Sequence, residues 1–374
     1  MIYFDNAATT KPDEECLEKA GKYLKEEYFN PSALYAEGYK LNKELRAARE
    51  NILKNIVDTQ KFVLEFTSCG TEADNHAIFC GGRRGNIVTT LGEHSAVFSA
   101  VNELKRQGIE VRFAELNGNG SVNIAHLLSL IDDKTSLVSV IHVNNETGAI
   151  NDIISIARQV KAKNSKTLFH SDGVQAFGKI PFKLTDNIDL YSISAHKIGG
   201  IKGCGALIKR KSLVIPPYIF GGGQENGARS GTENVFGIKM FELAAIKKYA
   251  QISENFKKVE EIKTELWRGL DKNLFSRIDS GGSPYILTVV ADGVRGETVL
   301  HEADDLGLII GTGSACASNE KNRYSRTILA CGIDKTAADG VLRLSFSPEN
   351  TVEEAVKAAQ ILNEIVANRK SIMA

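Results

Sequence analysis

A lysine ends the segment SISAHK at position 197, directly after the strand-like run DLYSIS and before a glycine-rich bend and the apolar GCGALI. An amine at a strand edge inside a fold is suited to covalent chemistry with a carbonyl compound. Other polar residues recur just past strand-like runs, where ligands gather in open parallel sheets. After VLEFTS comes CGTEADN, in which Thr71 and Asp74 read as a capping-box pair opening a helix. Free backbone N–H groups and the positive end of a helix dipole there would hold a phosphate without a charged side chain. An ordinary helix cap explains the same residues. LGEHSAV places His94 at a helix start, where a cap or a satisfied core histidine is the commoner occupant. NNETG crowds Asn144, Asn145 and Glu146 before a glycine, as turns do. In HSDGVQA, His170 and Asp172 share one face of a strand and Gln175 follows in the next turn, although Asp172 also suits an N-cap.

Each of these has an ordinary explanation, but together with a lysine at the next strand end they point to one shared site. An amine, an aspartate and a phosphate cradle at one sheet edge match the needs of pyridoxal phosphate. The lysine condenses with its aldehyde, and a carboxylate beside the pyridine nitrogen keeps that nitrogen protonated so the ring accepts electrons. An opposite charge at hydrogen-bond distance shifts such equilibria by ~1–3 pKa units, about 1.4–4 kcal/mol. No Walker lysine is present, so nucleotide hydrolysis is not indicated.

The elements that must position these residues follow a βαβ rhythm from about residue 60. Short β-branched or aromatic runs (KFVLEFTS, NIVTT, EVRFAEL, SLVSVIHV, TLFHSD, DLYSIS) alternate with amphipathic ones (TEADNHAIFCGG, SAVFSAVNELKRQG, DIISIARQVKAKN). The expected fold is α/β: a large domain, 16–255, with a mostly parallel seven-stranded sheet covered on both faces, and a smaller α/β domain formed by 1–15 and 256–374. A long helical connector is expected over Val235–Leu274. The 374 residues suit two domains. The 46 basic and 46 acidic residues form no long like-charge block, which argues against nucleic acid and membrane partners and for small neutral or zwitterionic ones. Six cysteines without a CxxC pair suit a reducing compartment, and Cys16, Cys80 and Cys331 read as buried small hydrophobes. MIYFDNAATT is not a signal peptide and no apolar run nears the ~20 residues of a membrane span, so the expected location is the cytoplasm.

Several blocks carry a family resemblance over nearly the whole chain: YFDNAATT at 3, NPSALYAEG at 30, TSCGTEADN at 67, EHSAV at 93, NNETGAI at 144, HSDGVQAFGKIP at 170, SAHK at 194, GGGQENGARSGTENV at 221, GTGSACAS at 311 and RLSFS at 343. The chain resembles the class V aminotransferase superfamily of fold type I pyridoxal-phosphate enzymes and, within it, the cysteine desulfurases. The resemblance implies that Lys197 holds the cofactor and moves protons at substrate carbons, that Asp172 pairs with the pyridine nitrogen and that Gln175 pairs with the ring oxygen. His94 would stack on the ring and assist proton transfer, and Asn145 would touch ring or substrate. Gly70, Thr71, Ser194 and His196 would hold the phosphate, with Thr232 reaching in from a second subunit, hence a homodimer. Arg343 would clamp the carboxylate of L-cysteine with two prongs, supported by Asn30.

Cys316 separates desulfuration from transamination. Its surroundings, IIGTGSACASNEKN, read as a mobile surface loop, and as thiolate it would attack the substrate sulfur, leaving alanine and an enzyme persulfide. The spacing from Cys316 to Arg343 resembles the branch with an extended cysteine loop, which feeds iron-sulfur scaffold proteins. The chain departs from the family pattern at three positions: Ile201 replaces a proline, Tyr35 a histidine and Cys69 a glycine. A related lyase or aminotransferase, including one acting on selenocysteine, and a non-catalytic scaffold are the alternatives; the scaffold's mark would be loss of Lys197 or Asp172, and both are present.

Overall fold

A computed structural model describes residues 1–278, 281–312 and 324–373 of the chain. Its main sheet has strands β1 (Phe62–Thr67), β2 (Asn86–Thr90), β3 (Val111–Ala114), β4 (Thr135–Ser139), β5 (Leu168–Asp172), β6 (Leu190–Ser194) and β7 (Gly205–Arg210). Their order is β1-β7-β6-β5-β4-β2-β3. β7 pairs antiparallel with both β1 and β6, and every other pairing is parallel. β2 and β6 are buried along their whole length, which is why their sequences lack a polar alternation: both faces lie under helices. Because β1 and β6 both oppose β7, all strands except β7 run the same way. Their carboxyl ends, followed by Cys69, His94, Asn144, Gly173 and Ala195, therefore meet along one edge.

Helices α1 (Gly70–Gly81), α2 (Ser95–Arg106) and α3 (Ile153–Lys163) join these strands. The expected connector is two helices, α4 (Val235–Ala250) and α5 (Ile252–Gly269), broken at Gln251, whose backbone (φ −120°, ψ 16°) leaves the helical region. The break falls where the chain changes cores. Ile238, Phe241 and Ala245 of α4 pack with Leu41, Phe66 and Phe169 in the main core. Val259, Ile262 and Leu266 of α5 pack with Ile2, Phe4, Leu287 and Leu344 in a second one.

The second core lies under an antiparallel four-stranded sheet in the order Gly311–Thr312, Val341–Ser345, Ile286–Ala291, Phe275–Arg277, with α5 and a last helix, α6 (Val352–Met373), packed together. Ile2–Tyr3 pairs with Leu308–Ile309, so the chain's start lies with the second core. The next residues cross to the main sheet: Ala7 N–H donates to Ser345 Oγ (2.8 Å), whereas Thr10 N–H donates to His196 O (2.9 Å).

Gly173, directly after β5, has no room for a side chain. A Cβ there would fall 1.9 Å from Cζ of Tyr191, a fully buried ring whose hydroxyl pairs with His142 Nδ1 at 2.8 Å. Gly173→Ala is expected to force Tyr191 aside at a cost of about 1–3 kcal/mol, visible as a lower thermal midpoint; an unchanged midpoint would show that the ring yields freely.

Candidate active site

Lys197 ends a single 3₁₀ turn, Ala195–Lys197, immediately after β6. Its Nζ donates to the carbonyls of Ala7 and Ala8, both at 2.7 Å. The amine is therefore at the sheet edge, as expected, and the N-terminal segment is laid across it.

Asp172, the last residue of β5, is buried, and its Oδ1 accepts from Val174 N–H at 2.9 Å. It is thus a turn cap and a site residue at once. One acid or imidazole atom from each of Asp74, His94 and Asp172 lies within 4.8 Å of the others. Burial, then the neighbouring Asp74, pushes the Asp172 carboxyl up to about 8. Burial takes Asp74 to about 7. A near-neutral aspartic acid can hand its proton to a pyridine nitrogen and remain beside it as the counter-ion. His94 is the N-cap of α2, its Nδ1 accepting from Ala96 N–H at 3.1 Å. That bond leaves the proton on Nε2, and burial, followed by Lys197, Arg326 and Arg343, depresses the ring to about 4, so it is a neutral imidazole.

The start of α1 differs from the expected capping box. Cys69 is the N-cap and makes no side-chain capping bond, Thr71 lies exposed in the first turn, and Asp74 points into the core. The reach-back bond comes instead from Glu72, which accepts Ser68 N–H at 2.8 Å and pairs with Arg229 Nε at 2.7 Å. The helix end without a side-chain cap, together with Ser194 Oγ, buried and without a partner among the described residues, offers a place for an anion. Gly70 opens that helix beside Ser194, and a Cβ there would meet Val174 Cγ2 at 2.8 Å and Ser194 Cβ at 3.4 Å. His196 turns away to Thr9, Nδ1 to Oγ1 at 3.2 Å, and is lowered to about 4 by burial and by Lys197.

Arg343 projects from the second sheet. Its Nη2 pairs with Asp5 Oδ1 (2.7 Å), its Nη1 donates to the Asn145 carbonyl (3.1 Å), and its buried Nε has no partner among the described residues. Gly311 makes room: a Cβ there would lie 3.0 Å from Nη2. Gln175 donates from Nε2 to the same Ala7 carbonyl at 2.9 Å. Lys197, Asp172, His94, Gln175, Gly70, Ser194, Asn145 and Arg343 are thus brought to one edge. Asn30 and Thr232 are exposed, Asn30 accepting from Ser32 N–H at 2.9 Å and Thr232 bordering a separate cleft of about 190 Å³ with Ser68 and Arg229. Cys316 lies outside the described residues. Just past it in sequence, Ser325 donates to the buried Glu146 carboxylate and Arg326 Nε to Leu91 O at 2.8 Å.

Asp5 and Lys179 were not assigned roles from sequence and Asp74 only that of a helix cap, although all three lie inside the quoted blocks; their contacts are made across the fold. Ile201 packs on the main core, Tyr35 sits edge-on to Phe29 at 6.1 Å, and Cys80, expected to be buried, is partly open with its thiol 3.4 Å from the Pro216 carbonyl. The end of α1 lies at the surface there.

Residues 2–357 match the family described as Aminotransferase class-V. The chain belongs to that family. "Cysteine desulfurase IscS" of Clostridium botulinum (strain Hall) is 36% identical over 388 residues, covering 100% of this chain and 96% of the relative. A solved "NIFS-like protein" superposes with TM-score 0.91 at 34% identity, covering 98% of this chain and 99% of the other. A structure of "SspA in complex with cysteine" gives TM-score 0.80 at 27% identity, covering 93% and 99%. These likenesses place this class-V chain among the cysteine desulfurases. The residues present fit pyridoxal phosphate: an anion cradle with an unpartnered hydroxyl, a buried acid, and an amine on one edge.

These proton equilibria predict how the cofactor-free protein responds to pH. A carboxyl held at about 8 when folded, against an ordinary value of 3.8, binds its proton more tightly in the folded state, so its stabilising contribution declines as pH rises through that window. Glu93 behaves alike at about 8. His94, at about 4, and buried His142, at about 3, act in the opposite sense only below their ordinary value of 6.5, whereas buried Lys179, its pKa held well down, opposes the fall at higher pH. The thermal midpoint of the cofactor-free protein is expected to fall between about pH 6.5 and 8 and to level off above, and Asp172→Asn to flatten the fall; an unaltered slope would mean that Asp172 is already ionised.

Proposed function

We propose that this chain acts as a pyridoxal-phosphate-dependent cysteine desulfurase, converting L-cysteine to L-alanine and carrying the sulfur as a persulfide on Cys316. The observation that carries the reading is the meeting of Lys197, Asp172 and an uncapped helix end at one sheet edge, in a chain alike over its full length to cysteine desulfurases. When bound there, pyridoxal phosphate supplies an electron sink for bond changes at the substrate carbons.

Asp172 would hold a proton at the ring nitrogen and serve as its counter-ion. Gln175 Nε2 would donate to the ring oxygen, and the neutral His94 imidazole would lie beside the ring. The amides of Gly70 and Thr71, with Ser194 Oγ, would hold the phosphate, His196 would join them only by leaving Thr9, and Thr232 of a second copy would complete the cradle in a homodimer. Exposed Leu34, Tyr39 and Phe220 are side chains that such a dimer would cover. Arg343 exchanges part of its pairing with Asp5 for the substrate carboxylate, with Asn145 and Asn30 beside it, while Lys197 Nζ moves protons at the substrate carbons. The Cys316 thiolate bonds to the substrate sulfur as the carbon–sulfur bond breaks. The electron pair passes to carbon, which takes a proton and becomes the alanine methyl group.

The persulfide then passes to a protein acceptor, such as an iron-sulfur scaffold; the long segment around Cys316 supports this. No helix among the described residues is long and apolar enough to cross a membrane, and the even charge gives nucleic acid no foothold, in keeping with a cytoplasmic enzyme.

With L-cysteine and a reductant, alanine and sulfide are expected in equal amounts; keto acid without sulfide would mean transamination instead. Cys316→Ser should keep the visible cofactor band and lose nearly all sulfide release, whereas Lys197→Ala should lose the band. Arg343→Lys, which gives up a two-pronged contact, should raise KM for cysteine about 10–100-fold with the band intact; an unchanged KM would place the carboxylate elsewhere.

A further inference from the structure

Lys179 is 4% exposed, in the turn after β5, and the mechanism above leaves it without a task. Burying an ammonium in a protein interior is costly unless it is paired with an acid. Burial comes first, and the charged groups that act on this lysine, Lys197, Arg343 and Lys248, are all positive, so its pKa is held well below the ordinary value. Across the domain boundary it faces the ring of Tyr285, 5.8 Å from Nζ. A leucine or methionine would fill such a place without the desolvation cost, so the nitrogen itself is what the position uses.

Its Nζ donates to Gln175 Oε1 at 2.7 Å. At its other end the Gln175 amide donates from Nε2 to the Ala7 carbonyl at 2.9 Å, the same oxygen that accepts from Lys197 Nζ at 2.7 Å. The carbonyl can only accept, so Nε2 must face it and Oε1 must face a donor. Nε2 carries a second N–H, which remains for a ligand beside Lys197. An amide held at one end alone can rotate, exchanging donor for acceptor at nearly the same shape.

We propose that Lys179 is a positioning residue for the cofactor-binding amide: by donating to Gln175 Oε1 it locks that side chain with Nε2 toward the Ala7 carbonyl and the ring oxygen of a cofactor on Lys197. This rests on the cofactor reading above and deepens it. A donor at the ring oxygen stabilises the oxygen's ionised form and lowers its hold on the proton it shares with the Lys197 nitrogen. Losing the lock weakens that donor, so the shared proton persists to higher pH.

The test is the pH titration of the visible band of the cofactor-loaded protein, read beside cofactor retention and thermal midpoint. Lys179→Met, close in volume and without a donor, is expected to fold, load cofactor and titrate about 1 pH unit higher. Gln175→Leu should shift the midpoint at least as far, and the double variant no further than Gln175→Leu alone, because both changes remove one interaction. Should Lys179→Met pack badly, Lys179→Leu serves in its place. A wild-type titration in the Lys179 variants, with Gln175→Leu shifted, overturns the proposal and leaves the cofactor reading standing. A wild-type titration in Gln175→Leu overturns the lock together with the Gln175 contact to the ring oxygen, and additivity in the double variant overturns the lock alone.

Discussion

The Ala7 carbonyl accepts from Lys197 Nζ and Gln175 Nε2 at once, and on that shared oxygen the two halves of the molecule are joined at the reactive amine. The chain's first strand belongs to the second core, two residues later Asp5 takes the Arg343 guanidinium, and Thr10 is already bonded to His196. A short segment, turned at Asn6–Ala8, therefore spans from the proposed substrate clamp to the cofactor lysine. Moving it would disturb both, and the buried Ala7 leaves little room there for a larger side chain.

The second constraint is dielectric. Asp74, Glu93, Asp172, His94, His170 and Lys179 gather behind the sheet edge, and burial is the leading cause of every pKa displacement among them. Carboxyls rise, imidazoles and the amine fall, and the interior is left nearly uncharged despite its polar content. Such a site can accept a dianionic phosphate at an uncapped helix end and a cation at the ring nitrogen without opposing charges already in place. The same burial makes each proton worth more than it would be in water.

Much of this was legible from residues alone. The strand-like runs and helix patterns identified the parallel sheet because buried parallel strands cannot alternate, and the rule that ligands sit past strand ends led to Asp172, His94 and Lys197. His94 is the helix cap that its place suggested, whereas Asp172 caps a turn and not a helix, each accepting a backbone N–H. The Thr71–Asp74 capping box was not, because Asp74 is drawn toward His170 and Ser192 across the sheet, a partnership that local spacing cannot reveal. The single long connector failed similarly: its apolar period is continuous in sequence, but its halves serve different cores.

Sequence by itself determined the chemistry available: which amine, acids and amides lie past which strand, and in what order. Those properties are local, set by side-chain type and by the direction a strand must run. Tertiary structure alone decided how these groups are biased, through the carboxyl of Asp5 on Arg343, the amine of Lys179 on Gln175, and the depth that neutralises Asp172. Each depends on residues distant along the chain meeting where water is excluded, and the energy of a charge there follows from its surroundings rather than from its neighbours in sequence.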